Sequence, residues 1–477
     1  MAVTTANGSQ RLRSRPTLLA LAAALACACA SAPAGDEART PAAHPAAVPA
    51  APAPIAARPA LEGLDDVLAA IAGGNPTVAQ AQARLDEARA ALAGARATTW
   101  PELSVGVDFV SSDAPSRAFA LLLDQRQVTL GPGFDPDPGA TEGWREEVRL
   151  DWALFAPGRA DEERAAEEGE SVARFALLAV QRRLLNAGVQ TWLGLGAARA
   201  LEQVARESIA LLERQLELTR RRQADGAALR VDVLRLETRL AAARQDAARA
   251  ALDVRRTESA LNLLMGVPAD HPLPSAHPEQ APSLAADLPA GLDAALARAR
   301  AERADLWAAA HRARMLDHQR EAAAAGHRPD LRAFAIYGID GGDPTPDIDL
   351  DSYTAGVGLR WSLTRATGPR VRAAEARLRR AQLELSELAL AVTREVRDAW
   401  EELALARETL ALATSAETTA AEAVRVVAAA HEAGAATVTD LLESEDAHRR
   451  ARVRAVAARA GLDIWAARLI AAMGGVR

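Results

Sequence analysis

The chain has 477 residues, more than one compact core usually holds; 25% are charged, the net charge is −7, and only 3% are aromatic. The acidic balance argues against a polyanion-binding surface, so no nucleic-acid partner is expected. Ala, Leu and Arg dominate and lysine does not occur, a composition of long helices packed through small side chains rather than of a thick globular core.

Residues 1–30 read as an export signal. Arg11, Arg13 and Arg15 precede an apolar run, Thr17 to Ala26, that is too short to span a bilayer as a helix. Two processing routes stay open. Ala28-Cys29-Ala30 suits ordinary signal cleavage, whereas Leu25-Ala26-Cys27 resembles a lipoprotein box one residue short, which makes Cys27 a candidate lipidation site. The only cysteines are these two, so no disulfide framework lies beyond residue 29. Residues 31–60 are Ala/Pro-rich and form a flexible segment.

A first repeat spans 61–267. A helical pattern starts at Leu64, breaks at Asn75-Pro76 and resumes to about Thr98. After Trp100-Pro101, residues Leu103, Val105, Val107 and Phe109 alternate with Ser104, Gly106 and Asp108, the pattern of a strand with one apolar face. A polar loop rich in Asp, Pro and Gly follows, then a second strand over about Arg145–Phe155. From Gly158 to Val267 there is no proline, and two long helices are expected, Arg159–Ala224 and Asp232–Met265. The second carries a heptad seam through Val233, Leu236, Leu240, Ala247, Val254 and Leu261.

Residues 268–290 form a Pro-rich connector, and a second repeat occupies 291–474. Leu292-Asp293 and Pro329-Asp330-Leu331 match Leu64-Asp65 and Pro101-Glu102-Leu103 at a shift of 228. A third strand is expected over about Leu331–Tyr337. In a fourth, Tyr353, Ala355, Val357, Leu359, Trp361 and Leu363 share one face. Beyond the strands the shift becomes 208, so the length difference falls in the strand–strand loop. The clearest sign of duplication is the pair of hairpin tips. Gly226, Asp232, Leu234 and Glu237 recur as Gly434, Asp440, Leu442 and Glu445. Each glycine suits a left-handed helix end, and each Asp suits the cap of the returning helix.

Strands of this length and alternation suit a transmembrane β-barrel. Four strands cannot enclose an open lumen, so several chains must share one barrel. The order of elements, the paired tips and the junction Leu154-Phe155-Ala156-Pro157-Gly158-Arg159 resemble the TolC family of outer-membrane efflux channels over residues 61–474. The Ala156-Pro157 pair departs from that family's usual Asp/Asn-Gly-Gly-Arg junction.

The resemblance implies a mainly α fold with a β-barrel part. Two repeats would give long coiled-coil hairpins forming a periplasmic α-barrel, with four transmembrane strands per chain. A homotrimer would complete a twelve-stranded barrel in the outer membrane of a Gram-negative bacterium. The implied function is a passive exit duct for efflux or type I secretion. An inner-membrane pump and a periplasmic adaptor are its implied partners. Gly226, Asp232, Leu234, Gly434, Asp440 and Leu442 would then mark adaptor-docking tips. Asp440 and Glu443 would form an acidic ring at the periplasmic gate, although Asp440 with Glu443 three residues on also reads as a capping box.

No catalytic constellation, cofactor motif or metal site is expected. His311 and His318 lack partners at ligand spacing. Asp343, Asp347, Asp349 and Asp351 lack the glycine and closing glutamate of a calcium loop, and read as a solvated outer loop. The competing reading is a periplasmic coiled-coil scaffold or adaptor that forms no channel.

Overall fold

Proline, glycine and asparagine divide the chain where its helices break. In a computed structural model, residues 63–128, 139–271, 273, 288–343 and 350–475 are described. The expected export signal with Cys27 and Cys29, the Ala/Pro-rich residues 31–60, most of the expected connector, and Asp347 and Asp349 lie outside the described residues.

The first repeat comprises α1 (Leu64–Gly74), α2 (Pro76–Ala97), β1 (Glu102–Ser112), α3 (Pro115–Asp124), β2 (Thr141–Phe155), α4 (Arg159–Ala224) and α5 (Arg230–Leu264). The second comprises α6 (Leu292–Glu302), α7 (Ala304–Ala325), β3 (Asp330–Gly341), β4 (Asp351–Arg360), α8 (Thr367–Glu432) and α9 (Val438–Ala472). Helix bounds repeat at the shifts read from the sequence: α1 and α2 map onto α6 and α7 at 228, α4 and α5 onto α8 and α9 at 208. The four strands form one antiparallel sheet in chain order, with β1 and β4 at its edges.

Asn75 shows how a break in the pattern is satisfied locally. Its Oδ1 accepts from the Thr77 N–H at 2.8 Å, capping α2, whose first residue is Pro76. Its Nδ2 donates to the Leu264 carbonyl at 2.8 Å, one of the carbonyls left unpaired where α5 ends. Gly266 then turns the chain with φ +74°, so close to α1 that a β-carbon there would stand 2.1 Å from the Gly74 oxygen.

α4 and α8 each have 66 residues, so each is ~100 Å long at the rise of an α-helix. α5 returns along α4 and α9 along α8, while α4 also meets α2, α7 and α9. The core is therefore spread over several clusters rather than one centre, and two of them are related by the repeat. Val67, Ile71, Trp192, Leu195, Leu261 and Met265 make the first, and their repeat equivalents Ala295, Ala299, Leu403, Leu469 and Met473 lie in the second.

Three strand bounds differ from expectation. β2 begins at Thr141 and β3 runs on to Gly341, because Trp144 pairs with Gly341 and Arg145 with Asp340 across the two strands. β4 ends at Arg360. Trp361 leaves the ladder and its indole Nε1 donates to the His327 carbonyl at 2.8 Å. Trp152 makes the equivalent bond to the Thr99 carbonyl at 3.0 Å. The first strand–strand loop contains α3, where only a polar loop was expected.

Candidate functional site

The two hairpin tips are built alike. Gly226 has φ +73° and Gly434 has φ +74°, which lets each long helix end in a reversed turn. The N–H of Ala227 reaches the Arg222 carbonyl at 2.7 Å, and that of Ala435 reaches the Ala430 carbonyl at 2.8 Å. The returning helices start at Arg230 and Val438, two residues before the acids expected to cap them.

Asp232 and Asp440 are consequently third helical residues that reach back. Asp440 Oδ2 accepts from the Thr437 N–H at 2.9 Å and the Thr437 hydroxyl at 2.7 Å, while the Thr437 oxygen accepts from the Asp440 N–H at 3.2 Å. The capping box therefore pairs Thr437 with Asp440, not Asp440 with Glu443. Hydrogen bonds from the Thr437 hydroxyl and N–H hold the Asp440 carboxyl below its ordinary range. Asp232 Oδ2 accepts from the Leu229 N–H at 3.4 Å, and its Oδ1 lies 3.8 Å from Arg235 Nη1. Glu443 is exposed one turn beyond Asp440. Leu234 is 50% exposed, whereas Leu442 is 3% exposed in a cluster with Leu216, Val233, Leu236 and Leu240.

Leu442 thus seats the second tip on the first hairpin, and polar bonds fix the register. Arg235 Nη1 donates to Thr439 Oγ1 at 2.8 Å, and Arg239 Nη1 to the Leu442 carbonyl at 2.6 Å. His431 Nδ1 lies 2.9 Å from the Ala436 carbonyl, and its Nε2 lies 3.2 Å from Arg222. That arrangement puts the ring proton on Nδ1 and leaves Nε2 to accept from the guanidinium. Gln215 Nε2 donates to Glu445 Oε1, and burial pushes the Glu445 carboxyl above its ordinary range. Sequence reasoning gave Glu445 no role. Its recurrence at the place of Glu237, which pairs with Arg220 at 2.6 Å, was the available signal.

At the other end of the molecule the sheet has one apolar face. Val105, Val148, Tyr337 and Tyr353 lie on it through successive strand pairings, as do Leu103, Leu150, Ala335 and Ala355. Val105, Val357 and Leu359 are 68%, 65% and 71% exposed in the single chain. The opposite face carries Asp108, Arg145, Glu147, Arg149 and Asp151, with Arg145 Nη1 3.2 Å from Asp340 Oδ1. Among the described residues no helix is long and apolar enough to cross a membrane.

The sequence profile of the outer membrane efflux protein family matches residues 67–267 and 295–475. The chain belongs to that family. This outer membrane efflux protein is a bacterial outer-membrane efflux channel of the tripartite type, reaching into the periplasm, and not an enzyme. The channel assignment sets aside the scaffold alternative.

No curated protein sequence matches the chain. Several solved structures share its fold. A membrane protein from Pseudomonas aeruginosa is 20% identical with a TM-score of 0.75, over 86% of this chain and 90% of that one. The outer membrane protein VceC from Vibrio cholerae is 18% identical with a TM-score of 0.72, over 86% and 96%. The open state of the MtrE outer membrane channel from Neisseria gonorrhoeae is 17% identical with a TM-score of 0.72, over 87% and 89%. TolC-like channels are homotrimers that work with efflux pumps.

Among the described residues no group of three or more His, Cys, Asp or Glu is placed to hold a metal ion. His311 does meet a carboxylate, since its Nδ1 lies 2.6 Å from Glu168 Oε2 on α4, and it stacks on Phe175. Asp351 accepts from the Tyr337 hydroxyl at 3.3 Å.

Proposed function

We propose that three copies of this chain share one barrel and form a passive exit duct. The observation that carries the reading is a four-stranded sheet with two unpaired edges and an apolar face whose outer strands are largely exposed. Such edges invite pairing, and such a face needs lipid. Pairing β4 of each copy with β1 of the next closes twelve strands, three times four, around the polar face. The bore then holds Arg145, Glu147, Arg149 and Asp151, and the long hairpins stand side by side below it.

At the far end of the hairpins, Asp440 and Glu443 of the three copies form an acidic ring around a narrow periplasmic entrance. Their exposure in the single chain supports this reading. The cap bonds fix the Asp440 carboxylate to the helix start while leaving it charged at neutral pH. A periplasmic adaptor protein, coupled to an inner-membrane pump, docks at the tips made by Gly226, Asp232, Leu234, Gly434, Asp440 and Leu442. Leu234 supplies exposed apolar surface there, and Leu442 braces the tip from beneath. Residues 1–30 direct export, with Cys27 a lipidation site if the lipoprotein route is used. Residues 61–267 and 291–474 are the two repeats, joined by 268–290.

Single-channel recording tests the ring. The double variant Asp440→Asn with Glu443→Gln removes six negative charges per trimer and is expected to lower cation preference. Unchanged selectivity in an assembled trimer places those carboxylates away from the bore.

A further inference from the structure

The first strand–strand loop carries the helix α3, and the side of the sheet on which it lies bears on the bore. α3 begins at Pro115, at the end of β1 remote from the long hairpins. Its buried side is Ala118, Leu121 and then Gln125, at helical spacing. Leu121 sits on Gly143, where a β-carbon would stand 2.8 Å from Leu121 Cδ2. Gly143 alternates with Arg145 and Glu147 along β2, so α3 covers the polar face, not the apolar one.

The segment continues across the sheet. Gln125 is buried, and its Nε2 donates to the Glu142 carbonyl on β2 at 2.7 Å. Its Oε1 lies close beside Gly342, just past β3, where a β-carbon would stand 3.4 Å away. Arg126 then turns with φ +54°, a conformation costly for a non-glycine residue, and its Nη2 donates to the Asp351 carbonyl where β4 begins at 3.1 Å. Residues 115–126 thus run from the end of β1 past β2 and β3 to β4. On the helix face turned away from the sheet, Ser116, Ala120 and Leu123 are exposed, Leu123 by 49%.

We propose that α3 and the Gln125–Arg126 turn are a pore-side strap that narrows the outer exit of the duct and limits the size of solute that leaves. This rests on the three-chain barrel, in which the polar face becomes the bore. Each copy then contributes one strap, and three Leu123 side chains project from the wall toward the axis. An apolar constriction of this kind resists wetting as well as reducing the cross-section. The strap is held by contacts to three strands of its own chain, so it is a fixed part of the wall rather than a hanging loop.

The test uses detergent-extracted full-length trimers in planar bilayers. Replacing residues 115–127 by a Gly-Ser pair is expected to raise single-channel conductance by roughly twofold or more. Independently, Leu123→Cys treated with a charged methanethiosulfonate from the outer side is expected to lose conductance. Val105→Cys on the opposite face, and the untreated-position wild type with its own Cys27 and Cys29, are expected not to. If the deletion does not assemble, the labelling result decides. If the wild type conducts, but the deletion variant conducts no better than it and labelling Leu123→Cys leaves conductance unchanged, the strap is overturned and the duct stands. A wild-type protein that forms no channel removes the duct reading, and the strap with it.

Discussion

Placing an arginine at Val357 separates a lipid-facing sheet from a wetted one. Val357 lies on β4 opposite Ala333, on the same face as Leu359 and Tyr353, and is 65% exposed in the single chain. In a barrel that exposure is contact with hydrocarbon. An arginine at the bilayer midplane of such a barrel costs roughly 2–4 kcal/mol. Val357 lies to the inner side of the centre of β4, so the lower figure applies, about 2 kcal/mol per copy. Three copies share the penalty in one assembly, roughly 6 kcal/mol in all, which is comparable to the whole stability of many domains. Thr354→Arg is the control, since Thr354 is exposed on the opposite, polar face of the same strand. The assay is the fraction of outer-membrane protein that migrates as a trimer before heating and as a monomer after it. Val357→Arg should abolish that trimer and Thr354→Arg should leave most of it. Equal assembly of the two variants would refute the assignment of the faces.

Four further outcomes rest on the packing and electrostatics. Leu442→Ala empties a site shared with Leu216, Val233, Leu236 and Leu240, at a cost of about 2–5 kcal/mol, and should appear as faster tryptic cleavage near the hairpin tips. Gly266→Ala sets a β-carbon 2.1 Å from the Gly74 oxygen at φ +74° and should lower Tm, whereas Gly94→Ala, with open space around it, should raise Tm slightly. Because burial raises the Glu445 carboxyl in the folded state, the fold favours its protonated form. Stability from this group is therefore greatest below the ordinary glutamate pKa and falls as pH rises from there through the raised value. Glu445→Gln should flatten that dependence and stabilise the tips at neutral pH, as read by Tm against pH. Asp440 has the opposite sign: its contribution holds at neutral pH and is lost only in acid, as pH falls below the ordinary aspartate range through the lowered value.

The helical plan was readable because duplication supplies an internal ruler. Trp192 and Trp400, or Gly226 and Gly434, fix the register whatever the local propensity. The apolar face of the sheet was readable for the same reason that β-strands are, the alternation of Val105 with Gly106 or Val357 with Gly358. What escaped was tertiary. Pro115-Ser-Arg-Ala-Phe-Ala-Leu-Leu-Leu-Asp124 has proline at the start of a helix and a buried side at helical spacing, yet it sits among the Asp, Pro and Gly residues of a loop. The end of β4 was misjudged because Trp361 and Leu363 continue the alternation, while the ladder stops where Trp361 turns to bond His327. The acids at the tips were read as caps from position alone, and Thr437 proved to be the residue at the cap, with Asp440 its reciprocal partner. The bonds that seat one hairpin on the other, Arg235 to Thr439 and Arg239 to Leu442, link residues some 200 positions apart, and no local pattern signals them.

The native mass of the protein extracted from outer membranes in detergent tests the central claim most directly. A particle of three chains that requires detergent for solubility, and that gives ion conductance in a bilayer, is the predicted result. A protein that is soluble without detergent as a monomer or dimer would contradict it, because four strands per chain would then have no way to enclose a pore.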